Sequence, residues 1–325
     1  MKALRILGLA AVAGLSACGP IDDIDFGGGG GGGGSFSRGF VFVRGESNSA
    51  RNVFVVDDTG DPNSPLRLTT QGGAYEPAVS RDGRRVAFVY KAGSILEVRT
   101  VPTTGQGQPS TVFASTNTTC PGCTDLRFPT FSPDGNTLVF TVYKGTSPSS
   151  LARVRTDGSG FQFLPNGNPY FFGSSSFTAD GLGVIAAGGQ SSSQLNLLVH
   201  VNLTSGLANV ISSGLGNEGA QVVGSRVTVS PDGTKVAFDA RTSSGSRIFV
   251  GKLNGQQQVY DITQVTGKPG VQDTYPSWRG NTELGFLLSE VGGENVYRVS
   301  ASSMRGSGNL VFVLPKATEP SYGGI

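Results

Sequence analysis

Phe128-Pro-Thr-Phe-Ser-Pro-Asp-Gly-Asn-Thr-Leu-Val-Phe-Thr-Val142 reads as a short strand, a tight turn and a second strand. Pro133 presets φ for the second turn position, Asp134 tolerates the third, and Gly135 takes the φ > 0 site. Leu138-Val-Phe-Thr-Val142 is β-branched and aromatic, as a strand favours. One such hairpin says little about a fold. Its recurrence along the chain decides the architecture.

Tyr75-Glu-Pro-Ala-Val-Ser-Arg-Asp-Gly83 precedes Arg85-Val-Ala-Phe-Val-Tyr90, and Ser176-Phe-Thr-Ala-Asp-Gly181 precedes Gly183-Val-Ile-Ala-Ala187. Val227-Thr-Val-Ser-Pro-Asp-Gly233 precedes Lys235-Val-Ala-Phe-Asp239. Tyr275-Pro-Ser-Trp-Arg-Gly280 is a shortened copy, and Phe36-Ser-Arg-Gly39 before Phe40-Val-Phe-Val43 is a truncated first copy. The glycines at 39, 83, 135, 181, 233 and 280 lie 44, 52, 46, 52 and 47 residues apart. A period near 50 marks a stacked or radial array. Each unit also has a second half of strand, polar turn and strand, as in Leu151-Ala-Arg-Val-Arg155, Asp157-Gly158 and Phe161-Gln-Phe-Leu164. Four short antiparallel strands per unit make a propeller blade. Six units predict an all-β, six-bladed β-propeller, and no window after the N-terminus has helical spacing.

The Ser-Pro-Asp-Gly turn after an aromatic or Pro-rich strand, followed by an apolar strand and a hairpin ending in Leu-Thr, resembles the TolB-type β-propeller repeat. The blades are also similar to those of prolyl oligopeptidase-like peptidases. The resemblance spans roughly residues 36–314. It implies a periplasmic scaffold for protein contacts, as TolB is. No stretch of the chain reads as the α/β domain that precedes the propeller in TolB.

Blade one lacks an inner strand of its own. Thr318-Glu-Pro-Ser-Tyr322 echoes Tyr75-Glu-Pro-Ala-Val79, so the tail is expected to pack beside Phe40-Val-Phe-Val43 and close the ring. Deleting residues 316–325 is then expected to lower the melting temperature.

Residues 1–17 read as a lipoprotein signal peptide. Met1-Lys-Ala-Leu-Arg5 is the basic start, and Ile6-Leu-Gly-Leu-Ala-Ala-Val-Ala-Gly14 is an apolar run too short to span a bilayer permanently. Leu15-Ser-Ala-Cys18 resembles the bacterial lipobox, which makes Cys18 the lipidated N-terminus; the alternative is ordinary secretion with cleavage near Ala17. By the family rule for the residue after the cysteine, Gly19 sends the protein to the outer membrane of the cell envelope. Residues 18–35 form a Gly-rich, disordered tether, with Gly27 to Gly34 unbroken. About 17 flexible residues reach roughly 20–25 Å r.m.s.. Residues 36–325 are the propeller.

Net charge is +2. Without Lys2 and Arg5 the mature chain has 25 − 2 = 23 basic and 23 acidic residues. A neutral surface gives no electrostatic reason to expect nucleic acid as a partner, and the membrane is met only through the anchor. A monomer is expected.

Cys120-Pro-Gly-Cys123 sits between β hairpins in an oxidising compartment, which favours a disulfide, Cys120 to Cys123. A redox site would need a helix in a βαβ setting. Zinc would need two more ligands, so neither a metal nor a cofactor is expected. Pro169-Tyr-Phe-Phe172 has two readings. Tyr170, Phe171 and Phe172 form a binding patch at the mouth of the ring, or they belong to the inner strand of blade four and pack in the core. Alternation places His200 opposite Val199 and Val201, as a partly buried structural residue.

No Gly-x-Ser-x-Gly and no Walker sequence is present. Gly214-Leu-Gly-Asn-Glu-Gly219 matches Gly-x-Gly-x-x-Gly but leads into a β unit, so it reads as a glycine-rich loop. Asp57, Thr59, Asp61 and Asn63 alternate like calcium ligands, yet lack the closing glutamate and read better as a hairpin turn. The expected function is non-enzymatic binding of an envelope protein or glycan. The alternative is a propeller-type polysaccharide lyase or hydrolase with acids at the channel mouth.

Overall fold

The second strand of each repeat carries the longest apolar run because it is covered on both faces. In the computed structural model, which describes residues 36–324 apart from 46, 48, 49, 165–169, 213, 214 and 307, these strands show runs of four to seven consecutive buried residues. The expected leader, Cys18 and the glycine tether lie outside the described residues.

Strands β1 (Gly39–Arg44), β2 (Asn52–Asp57) and β3 (Leu66–Arg67) open the ring. Blade 2 holds β4 (Ala74–Val79), β5 (Arg85–Ala92), β6 (Ile95–Pro102) and β7 (Ser110–Ala114). Blade 3 holds β8 (Asp125–Phe131), β9 (Thr137–Tyr143), β10 (Ser150–Arg155) and β11 (Gln162–Phe163). Blade 4 holds β12 (Phe171–Phe177), β13 (Gly183–Gly189), β14 (Leu197–Asn202) and β15 (Ala208–Val210). Blade 5 holds β16 (Val222–Val229), β17 (Lys235–Thr242), β18 (Gly245–Leu253) and β19 (Val259–Gln264). Blade 6 holds β20 (Gln272–Arg279), β21 (Glu283–Glu290), β22 (Gly293–Ser300) and β23 (Val311–Leu314). The last strand, β24 (Thr318–Gly323), returns to become the inner strand of blade 1. The result is six four-stranded antiparallel sheets, the predicted six-bladed propeller.

The tail closes the ring as expected. Phe40 faces Tyr322, and Gly39 faces Gly323. This changes the reading of Gly39. It is a strand residue rather than a turn glycine, because blade 1 joins two distant segments and has no hairpin between its inner strands. Gly83, Gly135, Gly181, Gly233 and Gly280 do occupy the turn position, with φ between 68° and 72°. The residues before β1 are anchored by Asp57, whose carboxylate accepts from the backbone N–H of Ser37 and Arg38 and from the Ser37 hydroxyl. In the glycine-rich loop before β16, Leu215–Glu218 forms one 3₁₀ turn that buries Leu215.

The core is a ring of six hydrophobic clusters, each built from two adjacent blades. In the closing seam, for example, Phe40 and Tyr322 of blade 1 meet Val296 and Leu314 of blade 6. Sheet-on-sheet burial between neighbours therefore holds the disc together. The fourth strands are short at β3, β11 and β15, and several of their residues are exposed, which blunts the outer edges.

Candidate functional site

The inner strands β4, β8, β12, β16, β20 and β24 surround one cavity of about 170 Å³. One end of this channel is formed by the hairpin turns, and the two ends are built differently.

At the turn end, four blades repeat one local network. In blade 3, Gly135 N–H donates to the Ser132 carbonyl, the Ser132 hydroxyl donates to Asp134, and Asn136 and Thr137 N–H bond the Asp134 carboxylate and the Ser132 hydroxyl. Ser80 and Asp82, Thr178 and Asp180, and Ser230 and Asp232 do the same in blades 2, 4 and 5. The hydroxyl donors hold Asp134 and Asp180 below the usual carboxylate range. Burial pushes Asp82 and Asp232 up, but the hydroxyl and backbone bonds outweigh it, so both are lowered. The repeated aspartate thus serves the turn, as the sequence implies.

At the other end each inner strand slips register against its neighbour. In four blades the slip places a residue that is not glycine at φ near +53°: Glu76, Phe128, Tyr275 and Glu319. Each precedes a proline, at 77, 129, 276 and 320. The proline brings no N–H that the bulge would leave unpaired, and it disfavours the αR alternative for the residue before it. Such backbone costs roughly 1–3 kcal/mol per residue and persists only where the surroundings impose it.

Carboxylates impose it here. Glu319 accepts the N–H of Glu76, and Glu76 in turn accepts the N–H of Phe128 at 2.6 Å. Arg51 pairs with Glu319, and Arg127 pairs with Glu76, which is 1% exposed. In blade 5 the buried Asp239 accepts from Ser225 and Arg226 N–H, both at 2.8 Å. A side chain at Gly224 would collide with that carboxylate, so the bulge of blade 5 needs glycine there. Burial pushes Asp239 up to about 6 and raises Glu319 as well. Burial opposes the Arg127 charge, and Glu76 outweighs it, so the Arg127 pKa rises. Burial also raises the Tyr275 phenol.

An arginine spans the channel at each end. Arg226 of blade 5 donates across the axis to the carbonyls of Pro77 in blade 2 and Pro320 in blade 1. Arg81, in the turn of blade 2, donates to the Pro231 carbonyl in the turn of blade 5 at 3.4 Å.

The residues singled out in the sequence lie away from the channel. Phe172 is buried between blades 3 and 4, with Tyr170 packed partly against the same cluster, while Phe171 is half-buried opposite Gly189. None of the three lines the cavity. Cys120 and Cys123 are bonded to each other in the loop between β7 and β8, with Cα atoms 5.7 Å apart and Cys120 in the core between blades 2 and 3. His200 is half-buried, as alternation predicts, and burial lowers its pKa. Asp57 and Asp61 bond the N–H groups of Thr59 and Asn63, which makes their alternation turn geometry. Sequence reasoning missed Glu76, Glu319, Arg127 and Arg226 as a group. The available signal was the recurrence of a residue before proline at one position of four inner strands.

No family model and no curated protein sequence matches the chain. Solved structures do resemble it. TolB from Acinetobacter baumannii superposes with a TM-score of 0.65 at 18% identity, covering 89% of this chain and 67% of that one. A putative TolB from Agrobacterium tumefaciens gives 0.54 at 14% identity, with 86% and 90% covered. A puromycin-hydrolyzing peptidase from Mycobacterium tuberculosis gives 0.51 at 16% identity, and this chain spans 38% of its length. At these identities the likeness is one of fold.

Proposed function

We propose that this chain is an envelope lipoprotein, anchored through Cys18 in the outer membrane, whose propeller is a non-enzymatic scaffold for an envelope protein or glycan. The observation that carries the binding reading is the use made of the carboxylates around the channel. Glu76 and Glu319 each hold a neighbouring blade's backbone N–H and a guanidinium, and Asp239 holds two backbone N–H groups. Acids committed in this way stiffen a ring and are poorly placed to exchange protons with a substrate. The TolB-type repeat and the TolB-like fold support the same reading. Among the described residues no helix is long and apolar enough to cross a membrane. Tyr170 and Phe171 are the aromatic contacts we assign to the partner, while Phe172 stays in the core.

Crosslinking in intact cells, followed by purification of the full chain, tests this. A specific covalent partner is expected, with recovery reduced by Tyr170→Ser and Phe171→Ser. Repeated failure to capture one sinks the scaffold. Cys18→Ala should release the protein from the membrane fraction. The enzymatic alternative draws on the raised carboxyls at Asp239 and Glu319 and on the peptidase-like neighbours. Turnover of a polysaccharide or peptide panel, abolished by Asp239→Asn in a folded variant, would establish it instead.

A further inference from the structure

The channel lining has an unbalanced chemistry. Two arginines, Arg81 and Arg226, and nine serines and threonines face the cavity, and no aspartate or glutamate does among the described residues. Glu76 and Glu319 are bonded by other donors, and Asp239 holds the backbone N–H of Ser225 and Arg226 rather than the guanidinium. Among the described residues neither guanidinium forms a salt bridge: Arg81 donates to the Pro231 carbonyl, and Arg226 donates to the Pro77 and Pro320 carbonyls and lies over the Tyr275 ring. A guanidinium has five N–H donors, so each retains several after these bonds. Burial lowers the Arg226 pKa, although Tyr275, Glu319, Glu76 and Asp239 favour its charge.

The hydroxyls point the same way. Ser174 and Ser321 accept backbone N–H groups from Val227 and Val79, and neither donates to another protein group among the described residues. Ser175, in the wall of the cavity and 5% exposed, has an enclosed hydroxyl with no hydrogen-bond partner among the described residues. Buried hydroxyls without partners are uncommon and ask for one. Two cations at the ends of a narrow channel with low-dielectric walls focus a positive potential between them. The cavity volume, 170 Å³, would hold roughly a dozen waters, or a ligand the size of one sugar.

We infer that the channel is a binding site for a small oxyanion, a carboxylate or phosphate group borne by a molecule no larger than a monosaccharide. Arg226 and Arg81 supply the charge from the two ends, and Ser174 and Ser321 supply hydroxyl donors. The site is independent of the partner surface proposed above, so either reading can fail without the other.

Calorimetric titration of the detergent-solubilised full chain at low salt tests it. The probes are inorganic phosphate and D-glucuronate, with D-glucose as the neutral control. One or both anions should saturate and glucose should not, and binding should weaken as salt is added. Preference for glucuronate assigns a sugar acid, and preference for phosphate assigns a phosphate group. Arg226→Gln should weaken binding about tenfold or more, as loss of a charge-assisted donor does. Because Arg226 also ties blades together, Arg81→Glu is the second variant. Its side chain is exposed, the fold should survive, and reversed charge should again cost about tenfold. Absence of heat with either anion up to about 10 mM, a range that covers Kd values near 1 mM, overturns the proposal. Undiminished binding in folded Arg81→Glu does so too.

Discussion

The two ends of the channel stabilise the inner strands by opposite means. At the turn end, every hydrogen bond of the Ser132–Thr137 network closes within five residues of chain. At the bulge end, Glu76 reaches Arg127 across 51 residues, and Arg51 reaches Glu319 across 268. The first end can form as soon as its hairpin does. The second exists only when the ring is shut, because Glu319 arrives on the last strand. Local turns therefore define the blades, while the strained, carboxylate-bound bulges register one blade against the next.

The largest test of this contrast removes the long-range partner outright. Deleting residues 316–325 takes away the inner strand of blade 1 together with Glu319 and Tyr322. The melting temperature should fall on the order of 10 °C or more, beyond the loss of a frayed edge. A thermal melt followed by circular dichroism that stays put would break the closure argument. Next comes Glu76→Ala, which leaves the Arg127 guanidinium with only Asp125 at 3.8 Å and strands the Phe128 N–H. Removing one partner of a buried pair should cost about 3 kcal/mol, read from urea unfolding. A change no larger than that at a turn would erase the distinction between the ends.

The pH dependence separates the ends by sign. Asp239 and Asp273, both at the bulge end of their blades, are pushed by burial up to about 6, against roughly 3.9 in an unfolded chain. A raised carboxyl gives its full contribution below the unfolded value and loses it as pH rises through about 6. Asp273 takes no backbone N–H among the described residues and has only Thr266 and, at 3.7 Å, Arg247 to oppose its burial, so it is the cleaner probe. Relative to Asp273→Asn, wild-type stability should fall between pH 4 and pH 7, by on the order of 2 kcal/mol. The lowered turn aspartates act in reverse: their contribution is complete above about pH 4 and is lost as pH falls further. A pH-independent difference for Asp273→Asn would remove the sign contrast. The smallest effect is expected for Asp134→Ala, about 1 kcal/mol, with faster hydrogen exchange confined to the blade 3 hairpin. Spread of that exchange to blades 1 and 2 would show that the turns also register neighbours.

What could be read from the sequence follows the same division. The Ser-Pro-Asp-Gly turns were legible because their partners are adjacent in the chain, and the count of six followed from them. Closure was legible because Thr318-Glu-Pro repeats the wording of Tyr75-Glu-Pro. The bulge end was hidden because Glu76, Arg127 and Glu319 belong to three blades and no local period joins them. The dipeptides Glu76-Pro77, Phe128-Pro129, Tyr275-Pro276 and Glu319-Pro320 were in view, but their identities differ and only the left-handed backbone unites them. For Tyr170, Phe171 and Phe172, alternation fixes opposite faces without saying which neighbour each face meets. The placement of Arg81 and Arg226 was out of reach for a related reason: overall charge says nothing of which side chains line the channel from its two ends.

Asp57 sits where β2 ends, and it grips Ser37 and Arg38 just ahead of β1. Any pull transmitted along the polypeptide into blade 1 meets this clip before it reaches the seam with β24. Gly39 pairs with Gly323, so an unprotected seam would peel open one rung at a time from that corner. The carboxylate instead diverts the load sideways onto β2, which is laced to strands on both flanks. Burial pushes Asp57 up, but its backbone bonds bring it down to about 2, and the clip stays charged in all but strongly acidic surroundings.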